Sequence, residues 1–127
     1  MKLLIIFPAA LILAGPLSAA PQSITLAAAT EFAATVSLLK FDGKQGRSTP
    51  FFNGYRPGLR FAGSAAEVTC SVSIQGPQDS VSPGESAQVQ LRCLDKVVVM
   101  KDKPEFVFYE GGRKVGSGVL ALPAAAQ

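Results

Sequence analysis

Glu110-Gly111-Gly112-Arg113-Lys114-Val115-Gly116-Ser117-Gly118-Val119, preceded by Phe106-Val107-Phe108-Tyr109, is the stretch that decides the fold. Two glycines between runs rich in Val, Phe and Tyr predict a two-residue β-hairpin. Such a turn needs positive φ at both central positions, and glycine reaches it without a Cβ penalty. Pairing Glu110 with Arg113 sets Phe108 opposite Val115 and Phe106 opposite Ser117, so one face of the hairpin reads as core. The other face carries Val107, Tyr109 and Leu120. That apolar set is either a partner surface or is covered by the N-terminal segment or the tail.

Upstream, the same period of two recurs. Phe32, Ala34, Val36 and Leu38 alternate with Glu31, Ala33, Thr35 and Ser37. Val68, Cys70, Val72 and Ile74 alternate with polar neighbours, as do Ala87, Val89, Leu91 and Cys93. This is the pattern of strands with one buried face. Ser82-Pro83-Gly84-Glu85 between the last two has Pro and Gly at the central positions of a type II turn. Residues 41–58, including Thr49-Pro50-Phe51-Phe52-Asn53-Gly54-Tyr55-Arg56-Pro57, are dense in Gly, Pro and Asn, which predicts a long ordered loop or short bent strands. No window after Thr30 carries helical periodicity. The chain reads as all-β, a small barrel or sandwich.

The N-terminus reads differently. Lys2, the apolar run Leu3–Ala14, Gly15-Pro16 and the small residues Ser18, Ala19 and Ala20 follow the layout of a secretory signal peptide. The run is too short for a bilayer core of about 30 Å, although a retained anchor is the alternative. Pro21 disfavours a cut after Ala20, leaving Ala19 or the Ala27-Ala28-Ala29 run. The expected organisation is a signal peptide over 1–29, cut somewhere from 19 to 29, a barrel over 30–122 and a frayed tail over 123–127. The expected location is periplasmic or secreted.

Composition excludes more chemistry than it supports. The 127 residues contain no His, which removes the usual general base, Ser-His-Asp triads and His-containing metal sites. No P-loop motif occurs, so no GTP binding is expected. Asp95, Asp102 and Glu105 read as solvated carboxylates. No cofactor and no enzymatic activity are expected. The net charge is +3, falling to +2 without Lys2, and that is mild for a nucleic-acid-binding surface. Cys70 and Cys93 both fall on apolar strand faces. In an exported chain they read as a disulfide closing about 22 residues, with two buried thiols as the alternative. Arg47, Arg56, Arg60, Arg113 and Lys114 are interleaved with Phe51, Phe52, Tyr55 and Phe61. They form either a phosphate-facing surface or a set of arginine stems laid over barrel-end aromatics.

Four blocks resemble, in order, the C-terminal domain of elongation factor Tu. They are Phe32–Leu39, the loop Gly46–Pro57, the turn Ser82–Glu85 and the Glu110–Arg113 hairpin. The resemblance spans about Phe32 to Leu120. It implies a closed six-stranded antiparallel barrel that does no chemistry itself, packs on a GTPase domain and grips the backbone of aminoacyl-tRNA. It places tRNA contacts at Arg47, Thr69, Lys96 and Gly111. Ser48 stands where the family has His, Gly58 where it has Gln, Ala62 where it has Arg and Cys70 where it has Gly. With these departures, and without the GTPase and second domains, the chain is not expected to hold aminoacyl-tRNA. The expected role is an exported, non-catalytic binding module for an unknown protein or cell-surface partner. Arg47, Arg56, Thr69, Lys96, Gly111 and Arg113 form its candidate surface. The rival is a cytoplasmic translation factor relative that binds aminoacyl-tRNA or a GTPase partner.

Overall fold

The computed structural model describes residues 3–5 and 22–122, so most of the expected signal peptide and the tail 123–127 lie outside the described residues. Strands β1 (Ser23–Leu26), β2 (Glu31–Leu38), β3 (Phe51–Phe52), β4 (Gly58–Phe61) and β5 (Val68–Ile74) come first. They are followed by β6 (Ser80–Val81), β7 (Ser86–Cys93), β8 (Val97–Met100), β9 (Glu105–Glu110) and β10 (Arg113–Leu120). Six of them close into an antiparallel barrel in the order β10-β2-β7-β5-β4-β9. Closure removes the free strand edges that would otherwise invite pairing with another chain.

The barrel is filled, not hollow. Leu59, Phe106, Phe108, Val89 and Leu91 are essentially inaccessible inside it, and β3 and β6 lay Phe51 and Val81 against the same core. The alternation that predicted the strands is the alternation that fills the interior, because successive side chains leave opposite faces of a strand. Each buried Phe or Leu contributes about 2–3 kcal/mol of hydrophobic stabilisation.

The hairpin is present, with Arg113 opposite Glu110 and positive φ at Gly111 (57°) and Gly112 (82°). Its expected register is corrected beyond the first two pairs. A bulge between Lys114 and Gly116 places Gly116 opposite Phe108 and Gly118 opposite Phe106. Val115 and Ser117 do not take those places. The cause is steric: a Cβ at Gly116 would overlap the Phe108 ring and the Ser37 carbonyl oxygen, and one at Gly118 the Phe106 ring. The two glycines are the recesses into which the two rings fit. The bulge also reverses the parity of the strand, so Leu120 is a core residue and Val119 is turned outward. Of the apolar set expected outside, Tyr109 is half-buried beneath Arg60, whose guanidinium carbon is 4.4 Å from the ring centroid.

The folded unit starts before residue 30. Strand β1 pairs antiparallel with β8 from Ser23↔Met100 to Leu26↔Val97, and Leu26 packs against the core. The Lys101 amide donates to the Gln22 carbonyl and the Ala29 amide to that of Cys93. A cut within Ala27–Ala29 would remove β1 altogether.

Candidate functional site

Two polar regions stand out on the barrel. The first is the end where the long loop meets the β9–β10 hairpin. Arg47 Nε donates to the Thr49 carbonyl (3.1 Å), Nη2 to Thr49 Oγ1 (3.1 Å) and the Pro50 carbonyl (3.2 Å), and Nη1 to Glu110 Oε2. The Tyr55 hydroxyl donates to the same carboxylate oxygen. Tyr55 stacks on Phe51 at 4.5 Å between centroids, and Arg47 lies over the Tyr55 ring at 5.1 Å. Arg113 reaches the other Glu110 oxygen at 3.9 Å and covers Phe41. The loop 41–58 is thus tied down through one carboxylate.

Electrostatics follow from that packing. Burial works to lower the Arg47 guanidinium, but the hydrogen bond and charge of Glu110 outweigh it and hold the group above its ordinary value. Burial first, and then Glu110, pushes the Tyr55 phenol well up. Both side chains therefore stay in the forms that the Glu110 carboxylate favours.

The second region is an outer-face groove of about 140 Å³ lined by Arg56, Thr69, Ser71, Arg92, Leu94, Cys93 and Ala29. Register builds it. Cys70 and Cys93 are directly opposed across β5 and β7 and are joined in a disulfide, which sets Ser71 opposite Arg92. The antiparallel pairing that runs from Tyr55↔Val72 to Gly58↔Thr69 sets Arg56 opposite Ser71. Arg92 in turn faces Glu31 on β2. One row across the outside of the barrel therefore reads Arg56, Ser71, Arg92, Glu31. Arg92 Nη2 lies 4.0 Å from Glu31 Oε2, and Arg56 makes no ion pair among the described residues.

These regions divide the candidate residues. Arg47, Gly111 and Arg113 belong to the braced loop end, whereas Arg56 and Thr69 meet in the groove. Lys96 is exposed on the turn between β7 and β8. Glu110, Ser71 and Arg92 are participants that the sequence reading did not place at a site, and Tyr55 was read there only as a barrel-end aromatic beneath an arginine stem. Ser71 and Arg92 could have been found by stepping one residue along each strand from the cysteine pair. No group of three or more His, Cys, Asp or Glu gathers into a metal-binding cluster among the described residues.

Fold and site together define a small closed antiparallel barrel with a filled interior, its polar groups gathered on the outer surface and at the loop end. The chain belongs to the Elongation factor Tu C-terminal domain family, whose model matches residues 25–122. The match starts inside β1, five residues before the expected domain boundary. That family domain is a non-catalytic one.

Proposed function

We propose that the chain is an exported, non-catalytic binding module, periplasmic or secreted, whose partner is a protein or a cell-surface component. The observation that carries the reading is the Cys70–Cys93 disulfide across β5 and β7. Such bridges persist in oxidising compartments and are rare in the reducing cytosol. The Leu3–Ala14 run and the small residues after it support the same reading. Support for a binding role comes from a barrel with no open interior and no His for proton transfer. Arg47, at a position where the family resemblance puts a tRNA contact, is committed to Thr49, Pro50 and Glu110. Processing falls after Ala19, upstream of β1, since the later alanines would cost the domain a strand.

Cell fractionation followed by intact-mass measurement tests this. A chain beginning at Ala20 outside the cytoplasm, with no free thiol under denaturant, is the expected result. A full-length cytoplasmic species with two reactive thiols overturns it.

A further inference from the structure

The groove between β5 and β7 carries a more specific reading, which rests on that of the chain as a binding module and names its ligand chemistry. We infer that it binds a single tetrahedral oxyanion, a phosphate monoester or sulfate ester, held between Arg56 and Arg92 over Ser71 and Thr69.

Geometry comes first. Arg56 and Arg92 lie on either side of Ser71 in one row, two strand spacings apart, about 10 Å between backbones. Arg92 reaches toward Glu31, and a swing of its long side chain back across Ser71 would bring its guanidinium fork to the oxyanion that Arg56 meets; each fork matches two oxygens of a phosphate or sulfate. Thr69 adds an exposed hydroxyl from the same outer face of β5. The Ser71 hydroxyl donates to the Arg92 carbonyl at 3.3 Å, so the hydroxyl donor offered to the oxyanion is that of Thr69. The floor is rigid because the disulfide lies directly beneath, with Cys70 and Cys93 almost wholly buried.

Charge availability comes second. Arg47 and Arg113 share Glu110, and Arg60 is held by Glu67 at 3.3 Å and by the Tyr109 ring. Arg56 has no such partner among the described residues, and Arg92 has Glu31 at a loose 4.0 Å. An incoming oxyanion displaces a weak, half-exposed contact, and pairs of that kind are worth about 0–1 kcal/mol.

The extent of the row decides between a single group and a polymer. The neighbouring outward positions are Ser73, Gln90 and Ala33 on one side and Gly58 and Leu94 on the other. None is cationic. A nucleic-acid backbone repeats its charge every few Å and calls for a stripe of Arg and Lys. The row offers one station.

The test is a titration of the purified protein with inorganic phosphate, followed by arginine Nε–H signals in ¹⁵N NMR. Parallel arms use glucose 6-phosphate, a sulfated monosaccharide, and vesicles of phosphatidylcholine with or without phosphatidic acid. These arms separate a soluble ester from a lipid headgroup. Expected are saturable shifts confined to Arg56, Arg92 and the Thr69 and Ser71 amides. Arg56→Ala or Arg92→Ala should weaken binding by about tenfold, the scale of one charge-assisted contact. Glu31→Gln should tighten it by removing the competing carboxylate, and Arg56→Lys should fall between Ala and wild type because it keeps charge but loses the fork. Thermal melts of each variant exclude unfolding as the cause. Shifts that grow linearly, spread equally over Arg60 and Arg113, or survive Arg56→Ala overturn the proposal. So does a nucleic acid that binds more tightly than the monoesters with a steep salt dependence. A protein found outside the cytoplasm and indifferent to every ester fails this inference alone and leaves the export reading standing.

Discussion

Arg47 and Arg56 flank the same loop, yet the barrel uses them in opposite ways. Arg47 is turned in, its side chain about one-fifth exposed, with hydrogen bonds to Thr49, Pro50 and Glu110. Arg56 is turned out over a groove between strands that a core-side disulfide joins. The loop end is held by polar contacts that water and pH can reach, and the groove by a covalent bond. An arginine in a polar-rich block is therefore no guide to a ligand until its donors have been accounted for. Those of Arg47 are committed to the fold, and those of Arg56 meet no acceptor among the described residues.

The largest way to break this comparison is to cut the covalent strut. Cys70→Ser, or reduction, is expected to lower stability by about 2–5 kcal/mol, since the bridge restrains a loop of that size in the unfolded chain. The loss should be read by denaturant titration and appear first as exchange of the β5 and β7 amides. The loop end keeps its Glu110 contacts until global unfolding. Next in size is Arg47→Ala, expected to cost about 2–3 kcal/mol by leaving Glu110 short of its main partner in a partly buried site. Here residues 41–54 should loosen while the pairing of 55–58 with β5, and with it the groove, persists, and limited proteolysis would cut within 41–54. A loss under about 0.5 kcal/mol, typical of an ordinary surface change, would show that the brace is ornamental.

Much of the barrel could be read in advance because strand alternation and turn chemistry are local. Phe32–Leu38, Val68–Ile74 and Ala87–Cys93 announce their buried faces, and the cysteines on two of those faces point to the pairing that the structure contains. The bulge in β10 was not legible, because Val115 and Gly116 are both acceptable inside and nothing polar marks the change of parity. Its trace is the spacing Gly116-Ser117-Gly118 against Phe106-Val107-Phe108, a pair of recesses for a pair of rings. Strand β1 was hidden by its neighbours: Ser23–Leu26 follows the apolar run Leu3–Ala14, and its partner β8 lies far along the chain. The brace was hidden for a similar reason, since Arg47 and Glu110 are 63 residues apart. Long-range ionic partners leave no periodic signal.

A smaller effect sharpens the comparison through pH. Tyr55→Phe removes one hydrogen bond to Glu110 and is expected to cost about 1 kcal/mol near neutrality. The sign of its pH dependence follows from the raised phenol. The folded state keeps the proton above the ordinary value of 10.0, while the unfolded chain releases it there. The stabilisation is fully present below that value and is lost as pH rises toward the higher folded one. Chemical denaturation across pH 8 to 12 should therefore show an alkaline fall in the wild type that is shallower in the Phe variant. Equal slopes would remove Tyr55 from the network.

The smallest expected effect is the most informative. Arg56→Ala should change stability by no more than about 0.5 kcal/mol, because an exposed side chain with no ion pair among the described residues contributes little to the folded state. Some packing of its stem is lost, but no half-buried carboxylate loses its main partner, in contrast to Arg47→Ala. Side-by-side thermal melts of the two variants, at one ionic strength, measure the difference directly. If Arg56→Ala destabilises as much as Arg47→Ala, both arginines serve the fold and the groove has no free cation to offer. If it is silent in the melt yet abolishes the phosphate-induced shifts, then stability and binding are carried by different arginines of one loop.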